Sequence, residues 1–509
     1  MSILILVAVL TMGTAFAGTL FTIPDGSAMA TDSYVVVYRA ADHVVAFGTE
    51  SSKSTVLDTD AADLGDYALV TVRNDNGILQ ATELGEMVYR NGRTIIVRLE
   101  RPLTGEFLRT DIFMVQPLRE DRSPGTPIPI PMSGGFDNAV SDIVAAVSQD
   151  SLISITTNYQ SYLTRYSSAD GYDTACEWSN DRFLSYGLDS EIKYFTMGYS
   201  CQNVIATQTG TVHPDQYWII CGHLDSTSPQ SSSNAPGADD NGSGSAGVME
   251  AARVMSQYDF EYTVRYCLWG GEEQGLVGSA HFADSAAAAG DEILGVVNLD
   301  MIFYGPSPDD QAELHYNTAS QGLGAAFDAI SDTYVPALVK VVAGSPTSAS
   351  DHASFWSAGY AAMLSIEKEV WVNPYYHQTS DVIANYIQYF PFGTNMAKAA
   401  IATVAYLAVP IETGIEESSH SEVVNPLSMI LSSNPVTTAA SAFVTMPSPG
   451  TARLNLYDLS GRTVLSISET LPAGSNAVNI DLNDISPGMY LIRVEFNGES
   501  ASSRLVVTE

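Results

Sequence analysis

The spacing of apolar residues divides the chain into three regimes. From about residue 18 to 120, short alternating runs broken by turn residues predict β-strands, for example at 33–38 and 94–99. The triplet Asp75-Asn76-Gly77 fits the turn of a hairpin. A stretch rich in proline and glycine follows, including Pro127-Ile128-Pro129-Ile130-Pro131, and reads as an extended linker over 121–136. Beyond it Val140, Ile143, Val144 and Val147 recur at helical spacing. From 137 to 410 strand-like runs (203–207, 218–221, 264–269, 295–299, 361–366) alternate with helical ones such as 246–255 and 277–288. That alternation predicts an α/β domain whose central sheet is mixed but mostly parallel, flanked by helices. A polar linker at 411–433 leads to 434–509, where short strands and turns predict a β-sandwich of roughly seven strands.

Composition narrows the class of protein. In 509 residues, 45% are hydrophobic and 16% charged, enough apolar material for a substantial core. Acidic residues outnumber basic ones 58 to 22, a formal charge of −36. That field repels nucleic acid and anionic lipid and attracts cations, a peptide's protonated amino terminus among them. Residues 1–17 pair an apolar run with Ala15-Phe16-Ala17, the pattern of a cleavable signal peptide, and predict export. Export permits disulfides, and Cys176 with Cys201 is the candidate bridge. Cys221 and Cys267 sit in apolar runs and read as buried thiols.

The chemistry concentrates at the ends of the predicted strands. The run 218–222 ends in His223-Leu224-Asp225, the run 264–269 leads to Glu272-Glu273, and the run 296–299 ends in Asp300. In open α/β sheets the crevice beyond the carboxyl ends of the strands is where ligands bind. The loop 236–242 adds Asp239 and Asp240, and a late loop adds His377. Each piece alone is bland: a His-x-Asp can cap a turn, two adjacent glutamates can be surface charge, and Gly242-Ser243-Gly244 lacks the lysine of a phosphate cradle. Together they form a nitrogen-and-oxygen ligand set without thiolate, which suits Zn²⁺ in a catalytic site, with two ions sharing one carboxylate. No Gly-x-Ser-x-Gly elbow supports a serine hydrolase.

These stretches resemble the bacterial secreted di-zinc leucyl aminopeptidases, a zinc-dependent exopeptidase fold. The shared motifs are Gly222-His223-Leu224-Asp225-Ser226, Pro236-Gly237-Ala238-Asp239-Asp240, Glu272-Glu273-x-Gly275-Leu276, Leu299-Asp300-Met301, Ser350-Asp351-His352 and His377-x-Thr379. Tyr162-Leu163-Thr164-Arg165-Tyr166 is similar to the family's opening. The resemblance implies two zinc ions per chain: Asp240 bridging, Glu273 and His377 completing one site, His223 and Asp300 the other. It implies Glu272 as general base, and Asp225 as the residue that orients His223, against the simpler reading of a turn cap. Asp239 is a partner of that shell or merely solvated, and His352 packs in a short helix. The chain departs from the family at Ser345, Thr347 and Ala349, where members carry two disulfide cysteines and a tyrosine near the scissile carbonyl. The last region resembles type IX secretion sorting domains, through Asn434-Pro435, Leu456-Tyr457-Asp458 and Ser486-Pro487-Gly488-Met489-Tyr490. An accessory carbohydrate-binding or adhesive sandwich is the alternative.

The expectation is therefore a secreted or cell-surface aminopeptidase that removes apolar residues from peptides. Its partners would be peptide substrates and an outer-membrane secretion machinery. A carboxypeptidase or dipeptidase on the same fold, or a non-catalytic surface binding protein, are the rival readings. Residues 18–120 stand where secreted peptidases often carry a prodomain. Oligomeric state is left open.

Overall fold

A computed structural model describes residues 18–508 apart from 25–33, 41–42, 51–53, 60–62, 73–74, 102, 104–112, 131–136, 307–309, 369, 412–426, 432–435, 447, 459–461, 473, 484 and 498. The expected signal peptide and most of the second linker lie outside the described residues. Contacts divide the chain into two compact units, 1–413 and 414–509.

Within the first unit an eight-stranded sheet forms the frame of the site. Its strands are β1 (Asp189–Thr196), β2 (Ser200–Gln208), β3 (His213–His223), β4 (Tyr262–Trp269), β5 (Glu292–Asp300), β6 (Gln311–Tyr316), β7 (Val339–Val342) and β8 (Ala362–Glu367), in the spatial order β7-β6-β8-β5-β3-β4-β2-β1. The central strands β4, β3, β5 and β8 run parallel. Antiparallel pairings on both flanks make the whole sheet mixed. Along β3 the side chains alternate in the manner a two-residue period dictates. Trp218 and Ile220 enter one core and Tyr217, Ile219 and Cys221 the other, so this strand is buried on both faces. Helices Gly242–Met255 and Phe390–Ala408 pack with the first core. Helices Val277–Ala289 and His352–Ala358 pack with the second.

The region before this sheet folds into two four-stranded antiparallel sheets that share a core through Leu20, Phe47, Tyr67, Tyr89 and Ile96. Asp75–Ala81 is an α-helix and not the hairpin turn the Asp-Asn-Gly triplet suggested. The hairpin here is made by Gly92-Arg93, between strands Gly85–Asn91 and Thr94–Leu99. Gly92 takes φ +57 with open space around it, a conformation glycine adopts at little cost. Backbone and side-chain bonds then tie the following strap to the α/β body. Gln116 Nε2 donates to Ser348 O at 3.0 Å, Arg122 N to Ser357 O at 3.1 Å, and Ile128 N to Ala319 O at 2.8 Å.

The bridge expected between Cys176 and Cys201 is not formed. All four cysteines are buried free thiols. Burial in apolar surroundings drives the Cys176 thiol well upward and Cys201 to about 12, which keeps both protonated and unreactive.

The second unit is a sandwich of a three-stranded and a four-stranded antiparallel sheet around Val444, Leu454, Ile480, Ile492 and Val494. No helix among the described residues is long and apolar enough to cross a membrane.

Candidate metal centre

Parallel strands deliver their last residues to one rim, and the register shows why the charges meet. His223 pairs with Trp269, two residues before Gly271 and the Glu272-Glu273 pair, while β5 places Asp300 beside Ile366. Asp240 arrives from the loop just before helix Gly242–Met255, whose amino-terminal dipole favours a carboxylate. The glycines there are a packing requirement. A Cβ on Gly244 would lie 2.4 Å from Leu299 O, so only glycine lets the helix start against the end of β5.

The side chains converge closely. Asp240 Oδ1 lies 3.2 Å from His223 Nε2, and Asp240 Oδ2 lies 3.1 Å from His377 Nε2. His223 Nε2 is 3.3 Å from Asp300 Oδ1, and His377 Nε2 is 3.3 Å from Glu273 Oε2. A tetrahedral zinc with bonds of about 2.0–2.1 Å holds its ligand atoms about 3.3 Å apart. The separations are those of ligands around an ion, and the one carboxylate serves both histidines. His223, Asp240 and Glu273 offer ligand atoms all within 4.8 Å of one another, as do His223, Glu272 and Asp300. All five expected ligands and Glu272 are buried.

The electrostatics agree with a cation site. Burial opposes a charge on His223, but the Glu272 and Asp300 carboxylates outweigh it and hold the imidazole well above its ordinary range. His377 is raised to about 9 in the same way, against burial, by Glu273 and Asp240. Asp240 is held well below the usual carboxylate range: burial raises it, and the two histidines overcome that.

Asp225 does two things. Its main-chain carbonyl is 3.0 Å from His223 Nδ1, with its carboxylate further off at 3.7 Å. The carboxylate itself accepts Glu272 N at 3.2 Å and Glu273 N at 3.1 Å. Orientation of His223 thus runs mainly through backbone, and the Asp225 side chain positions the two glutamates. Asp239 is buried, accepting Phe303 N at 2.9 Å and Asn373 Nδ2 at 3.1 Å. His352 is buried and its Nε2 lies 2.9 Å from Thr347 O.

Two residues of the site, Asp381 and Glu367, were not anticipated from sequence, and Ser350 was noted only as part of a motif. Asp381 accepts Asp239 N at 3.0 Å and Asp240 N at 3.1 Å, one on each carboxylate oxygen, and Tyr386 OH at 2.7 Å. Burial and the neighbouring Asp239 push its pKa up to about 8. Ser350 Oγ donates to Asp300 Oδ2 at 2.7 Å. Glu367, at the end of β8, accepts Tyr304 N and Asn373 Nδ2, each at 2.9 Å. Asp381 stands four residues after His377 on the same loop, which was the signal available. Arg165, noted only as part of an opening motif, is a fully buried pin: its guanidinium donates to Leu224 O, Pro236 O and Gly237 O at 2.8–2.9 Å.

The helix-flanked mixed sheet, with His223 and Asp300 at the carboxyl ends of its strands, is the α/β architecture expected from the sequence. Residues 203–401 match the model of Peptidase family M28. Residues 434–508 match the secretion system C-terminal sorting domain. The chain is 28% identical over 274 residues to a probable leucine aminopeptidase of Arthroderma otae, covering 51% of this chain and 73% of that one. It is 28% identical over 204 residues to a probable zinc metalloprotease of Pyrenophora tritici-repentis, covering 35% of this chain and 47% of the relative, so it spans about half of that protein. Among solved structures, LapB from Legionella pneumophila superposes with a TM-score of 0.55 at 17% identity, over 67% of this chain and 99% of that one. The LapA aminopeptidase of the same organism superposes at 0.51 and 20% identity, over 78% and 99%. Both share the fold.

Proposed function

We propose that the protein is a secreted, two-zinc aminopeptidase that removes apolar residues from the amino termini of peptides. The observation that carries this is Asp240, whose two oxygens each face a different histidine at 3.1–3.2 Å. His223 and Asp300 would hold one ion, Glu273 and His377 the other. Bound zinc would polarise the scissile carbonyl and make water a competent nucleophile near neutral pH.

The chain's own groups supply the rest. Glu272, buried with Oε2 3.7 Å from His223 Nε2, takes the proton of the attacking water on its carboxylate and returns it to the departing amine. Asp225 fixes the Glu272 backbone, so the carboxylate does not swing away. Met301, Leu364, Ile366 and Tyr376 cluster with Val370 and Trp371, and all of them line the cavity that also reaches Asp240 and Asp300. That apolar wall suits an aliphatic or aromatic terminal residue. The acidic rim attracts a protonated amino terminus. The sorting-domain match supports passage across an outer membrane and release or anchoring at the surface.

The test is hydrolysis of leucine p-nitroanilide and of an amino-terminally blocked analogue by purified protein, with zinc counted by native mass spectrometry. Two zinc ions, chelator-sensitive cleavage of the free substrate alone and loss of turnover in Glu272→Ala are expected. Chelator-resistant cleavage, or a fully active Glu272→Ala, would refute the mechanism.

A further inference from the structure

The cavity beside Asp240 and Asp300 has a volume of about 500 Å³, and its wall is not made by the α/β body alone. The amino-terminal β domain contributes Tyr38, Thr71, Met114 and the hairpin Asn91-Gly92-Arg93-Thr94. The hairpin is held at both ends. Asn91 pairs with Thr94 in the ladder, Val72 N donates to Arg93 O at 2.9 Å, and Asn91 Nδ2 reaches Tyr38 OH at 3.4 Å. Arg93 therefore rises from a fixed point on the cavity wall. Its side chain is exposed, and among the described residues it enters no ion pair.

The charges lining the cavity are thus unequal in kind. Asp240, Asp300 and Glu313 are acidic and belong to the α/β body, and the one arginine among the described lining residues belongs to the β domain. A short peptide is a zwitterion, with an ammonium at one end and a carboxylate at the other. A space of this size encloses a small ligand, in the range of roughly 300–1,000 Å³ that such ligands occupy. It suits a few residues and not the terminus of a folded protein.

We propose that the amino-terminal domain is a working wall of the substrate cavity and that Arg93 receives the free carboxylate of di- and tripeptides. This rests on the aminopeptidase reading above and makes the enzyme selective for short peptides. The planar guanidinium suits a carboxylate because it can donate two parallel N–H bonds. The strap bonds at Gln116, Arg122 and Ile128 keep the domain against the cleft, as a permanent wall requires.

The experiment uses the full secreted chain, loaded with zinc, on Leu-Gly-Gly and its carboxy-terminal amide. Wild type should favour the free acid in kcat/KM by about tenfold to a hundredfold, the range of a hydrogen bond to a charged group. Arg93→Ala should bring that ratio close to one, and Arg93→Lys should restore part of it. A wild-type ratio near one, or Arg93→Ala retaining the preference, overturns the assignment. So does finding by terminal sequencing that the active secreted species begins beyond residue 120. Protein that cleaves neither peptide at any zinc concentration counts against the aminopeptidase reading instead. The same comparison is then made by calorimetric titration of both peptides into wild type and Arg93→Ala, and equal affinities throughout overturn the Arg93 assignment.

Discussion

Asp381 offers the sharpest test of how the metal centre is built. Its side chain is 2% exposed and accepts three bonds: Asp239 N, Asp240 N and Tyr386 OH. Two of those donors are the backbone N–H groups of Asp239 and of Asp240 itself, so the placement of Asp240 depends on the Asp381 side chain. Replacing Asp381 by Ala strands two buried N–H groups and a hydroxyl. At about 1–3 kcal/mol for each unsatisfied buried donor, the loss should be about 3–9 kcal/mol. Asp381→Asn keeps the shape and one acceptor oxygen but turns an amide NH₂ toward one of the N–H groups, and should cost about 2 kcal/mol. Displacement of a partner that orients a ligand typically weakens zinc binding by about tenfold to a hundredfold.

The assay separates the two effects. All five tryptophans, Trp178, Trp218, Trp269, Trp356 and Trp371, lie in the α/β body, so their fluorescence in denaturant reports on that body and not on the carboxy-terminal sandwich. Zinc affinity is read by competition with a chelator of known strength. Asp381→Asn should be folded at neutral pH, less stable by about 2 kcal/mol, and weaker for zinc. Wild-type zinc affinity in a folded Asp381→Asn would show that the carboxylate does not hold Asp240, and the account of the loop would be wrong.

Two further outcomes follow from other buried groups. Arg165→Met leaves three backbone carbonyls without their guanidinium donor, and should destabilise the α/β body by about 3 kcal/mol or more in the same fluorescence measurement; a loss under about 0.5 kcal/mol would mean the pin is redundant. Burial lowers His352 to about 3, and its Nδ1 has no hydrogen-bond partner among the described residues, so protonation would bury an unpaired N–H. Because the folded pKa lies below the unfolded value of about 6.5, stability is full above pH 6.5 and is lost as pH falls toward the folded value. By pH 5 the deficit from this one group is about 2 kcal/mol. Relative to wild type, His352→Gln should lose about 2 kcal/mol less stability between pH 7 and pH 5; parallel stability curves for the two would show that His352 is not the titrating group.

What could be seen in the sequence and what could not divide along a physical line. β3, β4 and β5 carry long apolar runs because both faces are covered, and the polar groups stand at their last residues or, for β4, just beyond, so strand and candidate ligand are visible in one short window. The flanks are harder. β7 is four residues long and lacks a buried face, leaving no periodicity to detect. Asp75-Asn76-Gly77 carries a strong local turn signal, yet it starts a helix whose Gly77 and Ala81 are buried, a case of tertiary contacts overriding local preference. The cysteine pair failed for a related reason: export permits a bridge, but sequence does not say whether two thiols are aligned, and both lie in packed apolar surroundings. The positioning groups were hidden because their work is relational. Asp381 looks like any loop aspartate until Asp239 and Asp240 are seen to donate to it, and Asp225 looks like a partner of His223 alone until its carboxylate is found also on Glu272 and Glu273. Arg93 is the extreme case. It lies 147 residues before Asp240 in a domain without a recognisable motif, and only folding of the whole first unit brings the two to one cavity. Candidate ligands are therefore legible where the strand that carries them ends, while the groups that aim such a residue or bound a cavity acquire meaning only from a second element.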